Sequence, residues 1–332
     1  MQKILVIQTA FIGDVVLATG VLEKLHAYYP DAAIDMMVRK GNETLFTDHP
    51  FLHEVLIWDK KRSKYTNLWK LVSNVRKRRY DLVINVQRFA ATGFITGFSR
   101  AKRTVGFDKN PFSFLFSDVI THIVSDGNRQ LHEVERNHQL IRSFTDENAA
   151  RPKLYFTDKD VQAISCYTKN KFICIAPASV WFTKQFPAEQ WRAFINAVPH
   201  HISVYLLGAA GDDSLCKNIV SGIQHPSIQS LAGKLSFLQS AALMHAAGMN
   251  FVNDSAPMHF ASAVNAPVTA VYCSTIPAFG FGPLSDTRYT IEVPQTLSCR
   301  PCGLHGRNAC PKVHFHCAKW ITTQQLLAVL PP

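Results

Sequence analysis

Residues 251–272 read "FVNDSAPMHFASAVNAPVTAVY" and place an acid, a hydroxyl and a proline between two apolar runs. The run at 249–252 has the look of a buried strand. Pro257 suits a first helical turn, and Met258, Ala261, Ser262 and Val264 recur at helical spacing. A second apolar run, "PVTAVY" (267–272), follows. Strand, helix, strand is a βαβ unit. A helix that starts just past a parallel strand aims unpaired N–H groups and its positive dipole end at the strand's carboxyl edge, where open α/β sheets bind anions. An ordinary N-cap is the alternative, since Asp and Ser are both favoured there.

The same alternation extends in both directions. "KILVIQ" (3–8) reads as a buried strand followed by a helix from about Asp14 to Tyr28, and "IDMMV" (34–38), "EVLIW" (54–58) and "DLVINV" (81–86) read as further strands. "HEVERNHQLIRSF" (132–144) reads as one helix, and the polar "TDENAARPK" (145–153) as a linker. Strands resume at "FICIAP" (172–177) and "SVYLLG" (203–208), with helices near 188–197, 212–221 and 236–247. Repeated βα units imply parallel sheets with helices on both faces. The reading is an α/β protein of two Rossmann-like parallel-sheet domains, 1–150 and 151–332, facing a cleft.

Composition narrows the function. The 332 residues are 47% hydrophobic and 18% charged, which fits a globular chain and not a disordered one. No window approaches the ~20 apolar residues that span a bilayer. The start, "MQKILVIQTAFIGDVVLATG", is interrupted by Asp14 and lacks the layout of a signal peptide, so a cytoplasmic location is expected. The net charge of +11 favours anionic partners: nucleic acid, an acidic membrane face or phosphorylated substrates. Its basic residues gather in "DKKRSKY" (59–65) and "RKRRYD" (76–81), runs that also suit a solvated helix face. No zinc-finger spacing, RNP-like motif or basic heptad region accompanies them, so no nucleic-acid partner is expected.

The first βα turn, "QTAFIGDVVLATG", lacks the G-x-G-x-x-G spacing of a dinucleotide fingerprint. Gly13 frees the turn, and Asp14 is either a helix cap or a catalytic group at the sheet's carboxyl edge. This "IGD", together with "HEVER" (132–136), "ASVWFTKQFPAEQW" (178–191) and "NDSAPMH" (253–259), resembles the heptosyltransferases of lipopolysaccharide core synthesis, the ADP-heptose-using GT-B glycosyltransferases. The resemblance covers most of the chain. It implies a GT-B fold with an acceptor-binding N-terminal domain and a nucleotide-sugar-binding C-terminal domain. It also implies transfer of heptose to a lipid-linked acceptor with inversion and without a catalytic metal.

By the same resemblance Asp14 is the catalytic base that takes a proton from the acceptor hydroxyl. Lys184 stabilises the departing diphosphate, and Ser179 adds a hydroxyl or N–H. Asp254 contacts sugar hydroxyls, Ser255 and Ala256 offer N–H groups to the pyrophosphate, His259 follows in the donor site, and Leu235 packs on adenine. Many members carry Gly where this chain has Ala256, which leaves the local loop geometry open. His132 and Arg136, four apart on a helix face, would meet an acidic acceptor, as would the basic residues Lys60, Lys61, Arg62 and Lys64 and, at a strand end, Arg88. Solvation or an intrahelical Glu135 partner is the alternative for the "HEVER" pair. A phosphorylated glycolipid and an anionic membrane surface are the implied partners, with the protein peripheral at the inner face of the inner membrane.

Cys299, Cys302, Cys310 and Cys317 are spaced C-x2-C-x7-C-x6-C with His305, His314 and His316 among them. Thiols in a reducing cytosol suit a structural zinc site, with free buried thiols as the alternative. Cys166, Cys174, Cys216 and Cys273 are scattered and read as small apolar residues. Two rival functions stay open at this point: a GT-B transferase of another nucleotide-sugar in surface-glycan synthesis, and a non-catalytic protein that binds anions or nucleic acid through its basic face.

Overall fold

The computed structural model describes residues 2–60, 64–125 and 127–331, with the backbone alone at Lys64 and Tyr65. It divides into two compact units, Met1–Tyr155 and Phe156–Pro332.

The first unit runs β1 (Lys3–Ile7), α1 (Ile12–Tyr28), β2 (Ala33–Arg39), β3 (Leu52–Trp58), α2 (Lys64–Arg78), β4 (Leu82–Asn85), α3 (Ala90–Gly97), β5 (Arg103–Phe107), β6 (Asp118–Ile120) and α4 (Glu133–His138). Its six strands lie in the order β3-β2-β1-β4-β5-β6, and each neighbouring pair is parallel. Ile4, Leu5, Val6 and Ile7 are wholly buried. That is why β1 is a continuous apolar run: a central parallel strand is covered on both faces. Helix α1 is apolar nearly all round, with Val15 to Leu22 buried, because it has neighbours on more than one side, α4 among them.

Two expectations for this unit need correction. Residues 145–153 are not a free linker. A Cβ on Gly20 would lie 2.6 Å from the Ala150 carbonyl oxygen, so only a glycine in α1 lets this segment pass so close. Lys153 N donates to Thr19 Oγ1 at 2.9 Å, and Tyr155 OH donates to Glu23 Oε2 at 3.0 Å. The segment is bound along α1, and the two compact units divide after Tyr155. The helix expected over 132–144 ends at His138. Leu140 and Ile141 are both wholly buried, and their N–H groups bond three residues back, to Asn137 and His138. The chain tightens there and re-forms only a single turn at Arg142–Phe144.

The second unit runs α5 (Asp158–Ile164), β7 (Phe172–Ala176), α6 (Ala188–Ala197), β8 (Ser203–Leu206), α7 (Asp213–Val220), β9 (Ile228–Ser230), α8 (Phe237–Ala246), β10 (Met249–Asn253), α9 (Ala256–Ala263), β11 (Val268–Tyr272), β12 (Arg288–Glu292), α10 (His316–Lys319) and α11 (Thr323–Leu327). Its sheet, β12-β11-β10-β7-β8-β9, is also parallel throughout. Trp191, Phe194 and Phe251 form the centre of its core, and Ile321 and Leu326 of the C-terminal segment complete it. Counted from its own first strand, this sheet has the same order as the first. Each therefore reverses direction at one point, between β1 and β4 in the first unit and between β7 and β10 in the second. Such switch points open a crevice at the strands' carboxyl ends, where α/β sheets bind ligands.

Candidate active site

At the switch point of the first unit, α1 begins at Ile12 with Phe11 as its N-cap residue, so Asp14 is not the cap but the third helical residue. Its carboxylate reaches back toward the N–H groups of Phe11 and of Asp14 itself, and these bonds and Arg39 favour the charged form. Burial outweighs them, and the nearby Glu133 carboxylate adds repulsion. The balance raises Asp14 to about 6. Such a carboxyl is still ionised at neutral pH, yet it is a far better proton acceptor than an ordinary aspartate.

Other basic side chains of this unit lie at its loops. Lys60 donates to the Thr9 carbonyl at 2.7 Å and lies 4.7 Å over the Trp58 ring, at the turn that leads into α1. Arg88 is exposed just past the carboxyl end of β4. His122 is lowered to about 4 by burial, then by Arg88 and Arg136, so its imidazole is neutral at neutral pH. Lys61 and Arg62 fall outside the described residues, and so does the Lys64 side chain.

The "HEVER" pair departs from expectation. His132 stands before α4, where its Nδ1 accepts from Val134 N at 3.2 Å while Glu135 accepts from His132 N at 2.6 Å, a capping box. Arg136 is buried and donates to Glu133 Oε2 at 3.2 Å. The two side chains therefore do not form one exposed anion-binding face. The partner expected for Arg136, Glu135, instead pairs with Arg129. What the segment delivers to the site is Glu133, which sequence reading passed over.

At the switch point of the second unit, the loop after β7 makes a single tight turn at Phe182–Lys184. Lys184 Nζ lies 2.7 Å from Asp254 Oδ2, with side chains 15% and 8% exposed, so the pair is largely out of water. Thr275 Oγ1 donates to the same oxygen at 2.7 Å. Asp254 is not a helix cap either. Ser255 holds the N-cap position of α9, with no side-chain cap bond, and its hydroxyl donates to Asn253 O at 3.4 Å. The N–H groups at the start of α9 are thus not occupied by either side chain expected there. Ala256 is the first helical residue, with Pro257 next, so the loop geometry accommodates its side chain. His259 is buried one turn further on. Leu235 is half-buried before α8, and Ser179 lies in the β7 loop, where its carbonyl accepts from Gln185 Nε2 at 2.6 Å.

Three supporting groups escaped the sequence reading. Asn253 ties the two loops together: its Nδ2 donates to Pro177 O at 2.7 Å and its Oδ1 accepts from Phe186 N at 3.0 Å. Arg300 donates to the carbonyls of Cys273 and Thr275, each at 2.7 Å, and to Glu292 at 2.5 Å, fixing the strand end that carries Thr275. Gly306, at φ +77°, lies against Lys184, so that a Cβ there would meet Lys184 Cγ at 3.1 Å. Arg307 N donates to Thr183 Oγ1 at 2.8 Å and Thr183 N to Arg307 O at 3.0 Å. The cysteine-bearing loop is therefore a wall behind Lys184.

The thiols of that loop lie near one another. Burial, then the neighbouring thiols, raises Cys302, and the same causes raise Cys317 to about 12. Cys299 Sγ is 3.9 Å from His314 Nε2. Among the described residues, however, the side chains close enough to share an ion are Asp35, His53 and Glu54, and no three ligand atoms of the cysteine cluster come within 4.8 Å of one another. Asp35 is already engaged by Tyr80, Arg78 and His53.

The sequence profile of glycosyltransferase family 9 (heptosyltransferase) matches residues 68–309. Lipopolysaccharide heptosyltransferase 3 of Escherichia coli is 25% identical over 283 residues, covering 80% of this chain and 82% of that protein. Among solved structures, E. coli ADP-heptose LPS heptosyltransferase II superposes with a TM-score of 0.81 at 22% identity, covering 98% of this chain and 97% of the other. The family 9 glycosyl transferase of Veillonella parvula DSM 2008 superposes with a TM-score of 0.84 at 18% identity, covering 98% and 95%. The fold is thus the GT-B-like α/β arrangement of heptosyltransferases.

Proposed function

Because the chain belongs to glycosyltransferase family 9, the heptosyltransferases, we propose that it transfers heptose from ADP-heptose to a lipid-linked acceptor of the lipopolysaccharide core. The acceptor hydroxyl attacks the anomeric carbon as Asp14 takes its proton. The bond from that carbon to the diphosphate oxygen breaks, the electron pair leaves with ADP, and a single displacement inverts the centre. Lys184 meets the charge that develops on the diphosphate, and the Ser255 and Ala256 N–H groups, just ahead of Pro257, meet the rest. Asp254 holds the Lys184 ammonium at 2.7 Å and offers its other oxygen to the sugar. Ser179, Leu235 and His259 complete the donor site. Lys60, Lys64 and Arg88 serve a phosphorylated acceptor, and the protein works at the cytoplasmic face of the inner membrane.

The observation that carries this reading is Asp14, a carboxyl at the carboxyl edge of a parallel sheet, raised to about 6 by burial and Glu133. The test is transfer from a panel of nucleotide-sugars to a core acceptor, by wild type and Asp14→Asn. Turnover of ADP-heptose alone, lowered at least ~10²-fold in the variant, supports the reading; equal turnover by both proteins removes Asp14, and preference for a nucleotide-hexose removes the donor assignment. A structural zinc at Cys299, Cys302, Cys310 and Cys317 is a separate proposal, supported by four thiols in one loop cluster, and it requires the loop to close further around the ion. Metal analysis of protein purified without chelator decides it, a trace far below one equivalent removing the idea.

A further inference from the structure

Residues 60–117 hold fourteen Lys and Arg but only two acids, Asp81 and Asp108, whereas the whole chain holds 35 and 24. The positive excess of the protein therefore comes from this one segment. The same segment carries an aromatic ridge that the proposed reaction does not use. The Trp69 ring of α2 meets Phe94 of α3 edge-on at 5.2 Å, Phe94 meets Phe98 at 4.6 Å and Phe112 at 5.8 Å, and Phe112 meets Phe114 at 6.2 Å. Trp69 is 58% exposed, Phe114 76% and Leu115 37%. Gly97 lets the 112–115 turn sit on α3, since a Cβ there would lie 2.8 Å from the Leu115 side chain. Arg76 Nε donates to Phe98 O at 2.7 Å, joining α2 to the end of α3. The ridge is thus held in place by its own packing and still shows large rings to solvent.

Isolated exposed apolar residues need no explanation, but a connected set does. Trp favours the interface of a bilayer, and Trp and Phe together form the face that interfacial elements bury at the headgroup–acyl boundary. Lys70 follows Trp69 on α2, and Lys77 lies two turns on along the same helix, both exposed. Cations beside insertable rings add attraction to anionic headgroups. We infer that the Trp69–Phe94–Phe112–Phe114 ridge, with the lysines of α2, is the surface by which this protein docks on an anionic lipid bilayer. The inference rests on the proposed lipid-linked acceptor, because docking there would present the enzyme to a substrate confined to that plane.

The test uses the full chain, vesicles of phosphatidylcholine alone or mixed with phosphatidylglycerol, and a water-soluble deacylated acceptor. The wild type is expected to sediment with the mixed vesicles only, and less so as salt rises. Trp69→Ser/Phe114→Ser and, separately, Lys70→Glu/Lys77→Glu should each weaken that binding at least ~10-fold while leaving turnover of the soluble acceptor unchanged. Full vesicle binding by both double variants overturns the inference, as does equal binding of wild type to neutral vesicles. Binding of single-stranded RNA that excludes the vesicles and is lost in both variants would also overturn it. Should the wild type fail to glycosylate the soluble acceptor, the functional reading falls, and the vesicle result still decides the docking surface by itself.

Discussion

In the first unit the switch point of the sheet presents Asp14, a carboxyl that burial and Glu133 push toward its protonated form. In the second the corresponding point presents Asp254, whose charge is met by Lys184 at 2.7 Å and whose oxygen also accepts from Thr275. The strand order is the same in both. The same topology thus places an acid at each switch point, and in the proposed mechanism their different neighbours make one a base and the other an anchor. A base needs an environment that dislikes its charge, and an anchor needs one that satisfies it.

The largest break in this contrast comes from removing the proposed base. Asp14→Asn is expected to lower turnover by about 10²–10⁴-fold and to leave ADP binding, followed by thermal shift, intact. The sign of its effect on stability is also set. A carboxyl raised in the folded state favours folding below its unfolded value, and that contribution is lost as pH rises through about 6. At neutral pH the variant should melt no lower than wild type; a large drop in melting temperature would show a structural Asp14 instead. Lys184→Ala comes next, with a loss of ~10²-fold in kcat/KM for the donor. It also leaves Asp254 buried without its cation, a defect of about 3 kcal/mol in other buried pairs. Chemical denaturation of the two single variants then gives opposite results, which is the contrast restated as a measurement.

Smaller changes sharpen it. Gly306→Ala puts a Cβ at φ +77° against Lys184 and should raise the donor KM several-fold with kcat less affected, at a stability cost of about 1 kcal/mol. An unchanged KM would detach the cysteine loop from the proposed donor site. The subtlest test is Glu133→Gln. Below about pH 6 the Asp14 carboxyl is protonated and cannot accept a proton, so activity falls on the acid side. Removing the repulsion of Glu133 favours the ionised form, and the acid limb of the pH–rate profile should move to lower pH. An unmoved limb would assign it to another group.

Much of this was legible in sequence, for reasons that also explain what was not. Central parallel strands such as β1 and β10 are buried on both faces and announce themselves as apolar runs. Edge strands do not: β6 is "DVI", β9 is "IQS", and β12 is "RYTIE" with its first three residues exposed. The alternation of apolar runs gave the two-domain reading without them. Asp14, Lys184 and Asp254 stood out through their positions after strands, yet the bond between the last two joins residues seventy apart and no local pattern encodes it. Glu133 was masked by the stronger basic signal of "HEVER", and His132 spends its ring on capping α4. Arg300 and Gly306 sat among cysteines that drew attention to metal chemistry. The hydroxyl of Thr275 was the fairest missed signal, since it follows the carboxyl end of β11 as Asp254 follows β10.

The Asn253 side chain clamps the loop after β7 using both ends of one amide, its Nδ2 donating to Pro177 O and its Oδ1 accepting from Phe186 N. Aspartate would lose the donor, leucine both bonds, and glutamine would carry an extra methylene into a fully buried slot. A saturation library at this codon, selected for growth that depends on the enzyme, should therefore return to a single amino acid, while libraries at exposed Lys70 or Phe114 drift widely wherever the acceptor is supplied in solution.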